Sequence, residues 1–202
     1  MRVILLLVGL INLTWITEAC AQKSPLSFKI LFNTTKGNYI VEAYRNWSPL
    51  AVDRLYALVQ SGYYQNNYIF RVEKDYVIQF GITDNVKTNF YWDKKSLPDE
   101  PVMQKHKKGI VAFARSGKNS RSAQLFVDMV DNPKLDTTMR EQVHGYPPIG
   151  KVIKGFDVLM KLNGKYKKQI LPLQDSVYLH GNKYLDINYP GLDKIIRAII
   201  IR

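Results

Sequence analysis

Cysteine, histidine and acidic side chains are all scarce in this chain. The single cysteine, Cys20, excludes an internal disulfide framework. The three histidines, His106, His144 and His180, lie far apart and have no Cys, Asp or Glu at ligand spacing, so no metal site is expected. There is no Gly-rich phosphate loop and no Ser, His and Asp set, and no cofactor is expected. Nothing repeats at a period of solenoid length, and no low-complexity tract occurs. The 17 acidic residues face 29 Lys and Arg, a net charge of +12. The basic residues are spread along the chain, which argues against a nucleic-acid partner and for weak attraction to anionic surfaces or acidic clients.

Long apolar runs are also missing, except at the start. Met1 to Ala21 holds one Arg, the apolar stretch Val3 to Ile11, and Ala19-Cys20-Ala21 before Gln22. This is the layout of a secretory signal, and the stretch is too short to span a membrane. A buried N-terminal element and a lipid-bearing Cys20 are the alternatives; stable membrane association is expected only if Cys20 is lipidated. An exported chain is expected, periplasmic first, with secreted or lipoprotein forms as variants. Residues 22 onward suit one globular domain with a sizeable core, at 46% hydrophobic content, and a monomer is expected.

Asn67 to Gly81 carries the most information. Tyr68, Ile69, Phe70 and Val72 suit a strand, Glu73-Lys74-Asp75 a tight connection, and Tyr76, Val77, Ile78 and Phe80 a second strand. Arg71 and Gln79 lie inside these apolar runs, and burying either is costly unless its donors are satisfied. Three readings stay open: a core ion pair of Arg71 with Asp75 or Glu73, an Arg71 that faces solvent on an alternating strand, or a donor pair on the floor of an apolar groove. Elsewhere Phe28–Thr35 and Tyr39–Tyr44 alternate around Lys36-Gly37 as a hairpin. Ser48 and Pro49 open a helix that Gly62 ends. Thr83–Gln104 reads as a long loop, Pro172–Asn182 as an extended segment, and Leu192, Ile195, Ile196 and Ile199 as one side of an amphipathic helix over 191–202.

Phe70-Arg71-Val72, Tyr76-Val77-Ile78-Gln79 and Gly81 resemble the Phe-His-Arg-Val and Phe-Met-x-Gln-Gly-Gly signature of cyclophilins. Gly109 to Gly117, Asn119 and Ala123-Gln124-Leu125-Phe126-Val127 resemble the family's second block. Leu135-Asp136, with Pro148 to Val158, resembles its third. The resemblance covers roughly residues 28 to 165, and its tail is similar to that of bacterial members. It implies a mainly β fold, a closed antiparallel barrel of about eight strands, with helices over 49–61 and near 155–162 closing its ends. An isomerase domain over 22–170 and a C-terminal extension over 171–202 packing on it are expected.

What the resemblance implies for function is peptidyl-prolyl cis-trans isomerisation of Pro-containing extended segments, in the folding of exported proteins. The alternative is a peptide-binding module or holdase with little turnover. Arg71 falls on the catalytic arginine, and Gln79 on the glutamine that orients it. Tyr76, Val77, Phe126 and Leu135 fall on the proline-holding wall, with Phe113 beside them. Ala114 and Arg115 fall on the pair whose backbone meets the substrate, Gln124 on a groove glutamine, and Tyr146 on the pocket histidine. Arg115 adds charge at the groove edge that favours acidic neighbours of the proline. Lys134 stands where cyclosporin-sensitive members carry Trp, so weak cyclosporin binding is expected.

Overall fold

The computed structural model describes residues 23–202. The leader reading and Cys20 lie outside the described residues. The chain opens with the hairpin of β1 (Ser27–Thr34) and β2 (Gly37–Tyr44), which alternate buried and less buried positions. Phe28, Ile30 and Phe32 pair with Ala43, Val41 and Tyr39 on the inward face, and the Phe32 and Tyr39 rings stack at 4.8 Å. α1 (Pro49–Gln60) then buries Ala51, Val52, Leu55, Leu58 and Val59 in the core. Ser48 precedes this helix without capping it. Its hydroxyl donates to Glu100, whose carboxylate accepts the free N–H groups of Leu50 and Ala51, so the cap comes from a distant residue.

β3 (Asn67–Val72), β4 (Val77–Phe80), β5 (Ile110–Phe113), β6 (Leu125–Asp128) and β9 (Pro148–Lys154) follow, with a short hairpin of β7 (Met139–Arg140) and β8 (Val143–His144) before β9. α3 (Phe156–Met160), α4 (Gln174–Asn188) and β10 (Lys194–Ile201) complete the chain. Eight strands close into an antiparallel barrel in the order β1, β10, β3, β4, β6, β5, β9, β2. Closure leaves no exposed sheet edge, and the inward side chains fill the interior.

Three segments differ from the sequence reading. The stretch read as a loop over 83–104 contains α2 (Val86–Asp93), capped by Asn85, whose side chain accepts from the Thr88 N–H at 3.0 Å. The segment read as extended is α4, which bends where Gly181 takes φ 62° and ψ −153°. A Cβ at Gly181 would sit 2.4 Å from Asp84 Oδ1, which receives the Asn182 N–H. α4 covers the outer face of β3, closing a second apolar cluster of Tyr68, Phe70, Ile82, Ile170, Val177, Leu185 and Leu192.

The third difference is the tail: no helix spans 191–202. That segment supplies β10, so the last part of 171–202 is a barrel strand rather than an element packed on the outside. The misleading pattern mixes two faces: Ile195 points inward, whereas Ile196 and Ile199 are outward isoleucines. Asn33 pairs with Arg197 and Thr34 with Ile195, so Ile196 is extra. Ile195 and Ala198 therefore both face inward. The run of β-branched residues decides for a strand. Ile195→Ala should cost about 2–5 kcal/mol in urea unfolding. Ile196→Ala, at a half-exposed position, should stay within about 0.5 kcal/mol. Equal effects would contradict the strand assignment.

Candidate active site

The floor of the site is a cross-strand pair. Arg71 on β3 stands opposite Gln79 on β4, and Ile69 opposite Phe80, leaving Phe70 as an extra residue. Ile69 and Val72 face the barrel core, whereas Phe70 and Arg71 both fall on its outer side. The ion-pair reading, with Glu73 rather than Asp75, and the donor-pair reading of Arg71 hold together. Its Nε donates to Glu73 Oε1 at 2.6 Å and its Nη2 lies at the same distance from that oxygen, while Nη1 donates to Gln79 Oε1 at 3.3 Å. The guanidinium carbon lies 5.1 Å from the centre of the Tyr76 ring, within cation–π range.

From Gln79 a chain of amides leads to α4. Gln79 Nε2 donates to Gln124 Oε1 at 2.8 Å, and Gln124 Nε2 donates to Gln174 Oε1 at 2.7 Å. Gln174 Nε2 donates to the Leu171 carbonyl at 3.1 Å. The direction of this chain is fixed at both ends, because a guanidinium can only donate and a carbonyl can only accept. Gln124 also donates to the Tyr178 hydroxyl at 3.3 Å, which donates to Asp93 at 3.4 Å. Burial raises the Tyr178 hydroxyl to about 12, so it keeps its proton at neutral pH. Gly81 lets β4 come this close to Gln124, since a Cβ there would sit 2.6 Å from the Gln124 Cα.

The wall is apolar. Val77, Ala112, Phe126, Leu135 and Tyr146 form one buried cluster, with Tyr76 and Ala114 against it. The Phe126 and Tyr146 rings meet edge to face at 5.5 Å. Behind Phe126 the His106 ring stacks at 5.9 Å. His106 Nδ1 lies 2.7 Å from Asp128, and its Nε2 lies 2.6 Å from the Tyr146 carbonyl, to which it must donate. Asn132 Nδ2 donates to Asp128 and to the Tyr76 carbonyl. Burial pushes the Asp128 carboxyl above its ordinary range, against the opposing pull of His106 and Asn132. This buried network holds the segments carrying Tyr76 and Tyr146. His106, flanked by lysines, gives no sign of it in the sequence.

Arg71, Tyr76, Val77, Gln79, Ala114, Arg115, Gln124, Phe126, Leu135 and Tyr146 line one groove of about 840 Å³. Phe113 does not join them. It is fully buried inside the barrel, and the outward position on its strand belongs to Ala112. The Ala114 N–H is already paired with the Gln124 carbonyl at 2.9 Å. Arg115 is not a free charge at the groove edge: it is 7% exposed, lies over the Tyr146 ring, donates to the Val143 carbonyl, and has Asp99 at 3.5 Å. The β7–β8 hairpin, just before Tyr146, supplies this carbonyl. Lys134 is exposed on a short 3₁₀ turn over Pro133–Asp136. Sequence reasoning missed Asp93, Gln174 and Tyr178, which extend the groove. Among the described residues no cluster of three or more metal-binding side chains occurs, and no helix is long and apolar enough to cross a membrane.

A barrel with an apolar groove floored by an arginine on its outer face defines the class of fold, and comparison with known proteins supplies the family. Residues 29–180 match the family described as cyclophilin type peptidyl-prolyl cis-trans isomerase/CLD. Peptidyl-prolyl cis-trans isomerase A of Dickeya dadantii is 27% identical over 182 residues, covering 86% of this chain and 90% of its own. Isomerase cypE of Dictyostelium discoideum is 29% identical over 149 residues, 72% of this chain and 91% of its own. A solved cyclophilin-type isomerase of Cryptosporidium parvum shares the fold, with a TM-score of 0.62 at 20% identity over 87% of this chain and 98% of that one. A second structure of that enzyme was determined in the presence of the dipeptide Ala-Pro. The chain belongs to the cyclophilin-type peptidyl-prolyl cis-trans isomerases.

The amide chain makes α4 part of the site. Gln174→Ala removes the acceptor for Gln124 and should lower kcat/KM about fivefold, the worth of one neutral hydrogen bond of ~1 kcal/mol. Gln174→Glu keeps that acceptor and should retain more activity. A protease-coupled assay on an Xaa-Pro peptide checks both; a Glu variant no better than Ala would break the link.

Proposed function

We propose that the chain accelerates rotation about Xaa-Pro bonds in exported proteins, with Arg71 as the catalytic residue. The observation that carries the proposal is a clamped guanidinium on the same groove as the apolar wall of Val77, Phe126, Leu135 and Tyr146. The barrier to rotation, roughly 20 kcal/mol, arises from amide resonance. Twisting the bond returns a lone pair to the prolyl nitrogen. A donor aimed at that nitrogen binds the twisted form more strongly than the planar one, and neither proton transfer nor covalent attack is needed. The proline ring would rest on the wall, while Gln79 holds the guanidinium from one side. Ala-Pro, in whose presence a structure of the Cryptosporidium parvum enzyme was determined, is the smallest segment of this class.

The export part of the proposal rests on the apolar, signal-like stretch before Gln22. The mature chain should begin at Gln22, or at an acylated Cys20 in the lipoprotein variant. N-terminal sequencing and mass measurement check this, and a mature chain that retains Met1 contradicts it.

Arg71→Ala should lower kcat/KM by two to three orders of magnitude, about 3–4 kcal/mol for one transition-state donor. Affinity for a Pro-containing peptide should fall much less, because the wall remains. Arg71→Lys should not restore turnover, since a point ammonium lacks the fork geometry. NMR exchange spectroscopy on an Ala-Pro peptide reads rate and affinity in one sample. Equal losses in both would reduce Arg71 to a ground-state contact.

A further inference from the structure

Arg71 is held from two sides, and only one of them is the glutamine of the family signature. The other is Glu73, whose single oxygen Oε1 lies 2.6 Å from both Nε and Nη2 of Arg71. Glu73 stands in the connection between β3 and β4, where its own N–H donates to the Val77 carbonyl and its carbonyl accepts from the Tyr76 N–H. The carboxylate is thus fixed to the frame that carries Tyr76 and Val77. Asp75, in the same connection, is exposed and makes no salt bridge among the described residues.

We propose that Glu73 is a positioning residue for isomerisation: it grips the Nε–Nη2 edge of Arg71 so that the Nη1 end faces the groove. A guanidinium has five N–H donors in a rigid plane, so fixing one edge fixes the direction of the rest. Glu73 occupies that edge, and Gln79 takes one proton of Nη1. The other Nη1 proton remains for a prolyl nitrogen. A free arginine side chain would rarely present that proton within the narrow angular range of a good hydrogen bond. The side chains of Arg71 and Glu73 are 14% and 17% exposed, so the pair is largely shielded from water and removing Glu73 leaves a mostly buried guanidinium short of a partner.

This inference rests on Arg71 acting on the prolyl nitrogen, and the test separates the two. Glu73→Ala should lower kcat on an Ala-Pro peptide by about tenfold with KM within about twofold, at a temperature where both proteins are folded. Glu73→Gln, whose carbonyl oxygen can still accept from Nε, should recover most of the loss. The NMR signal of the Arg71 Nε proton should move in Glu73→Ala and move less in Glu73→Gln. Wild-type kcat in Glu73→Ala, a loss confined to KM, or a Gln variant no better than Ala would each overturn the role of Glu73. Arg71→Ala in the same assay reads the underlying assignment: full turnover there would remove Arg71 itself.

Discussion

Phe70 has no partner in β4, and the direction of Arg71 follows from that. Without the bulge, strict alternation would place Phe70 and Arg71 on opposite faces of the sheet. With it, Phe70 goes into the cluster beneath α4, and Arg71 falls beside it on the outer face, opposite Gln79. Barrel closure anchors the start of β3, where Asn67 and Tyr68 pair with β10, and Arg71 further along is held opposite Gln79 of β4. The core that fills the interior therefore supports the site from behind without contributing side chains to it.

On the outer face the chemistry is governed by a donor-only group. Arg71 forces Gln79 to present oxygen, and this forces the polarity of Gln124 and of Gln174 in turn. The apolar side is held by different means, through the buried His106, Asp128 and Asn132 set. Floor and wall are thus fixed by separate polar networks. The first runs along the surface to α4, and the second lies beneath Phe126.

The legible parts were those in which side-chain type and local order coincide. Arg71, Gln79, Gln124, Phe126 and Tyr146 were identified by motif and converge on one groove. Alternation around Lys36-Gly37 marked the first hairpin. Phe113 was misplaced because a motif match does not state which side of a strand faces inward; its neighbour Ala112 is the outward residue. The tail misled because β10 carries isoleucine on its outer face as well, so the buried Ile195 and the exposed Ile196 and Ile199 together imitate a helical stripe. The α4 contribution was invisible, since Gln174 and Tyr178 are ordinary helix residues until the fold brings them to Gln124. Glu73 is one of two partners the sequence offers Arg71, and folding brings it and Gln79 to the guanidinium together.

The central claim is geometric: the guanidinium of Arg71 and the wall of Val77, Phe126, Leu135 and Tyr146 act on the same prolyl residue. A crystal structure of the chain from Gln22 onward with a bound Xaa-Pro peptide tests it directly. The account predicts the proline ring against that wall, with Arg71 Nη1 directed at the prolyl amide and its other edge still on Glu73. A proline seated against α4, or an Arg71 turned away from the bound peptide, would contradict it.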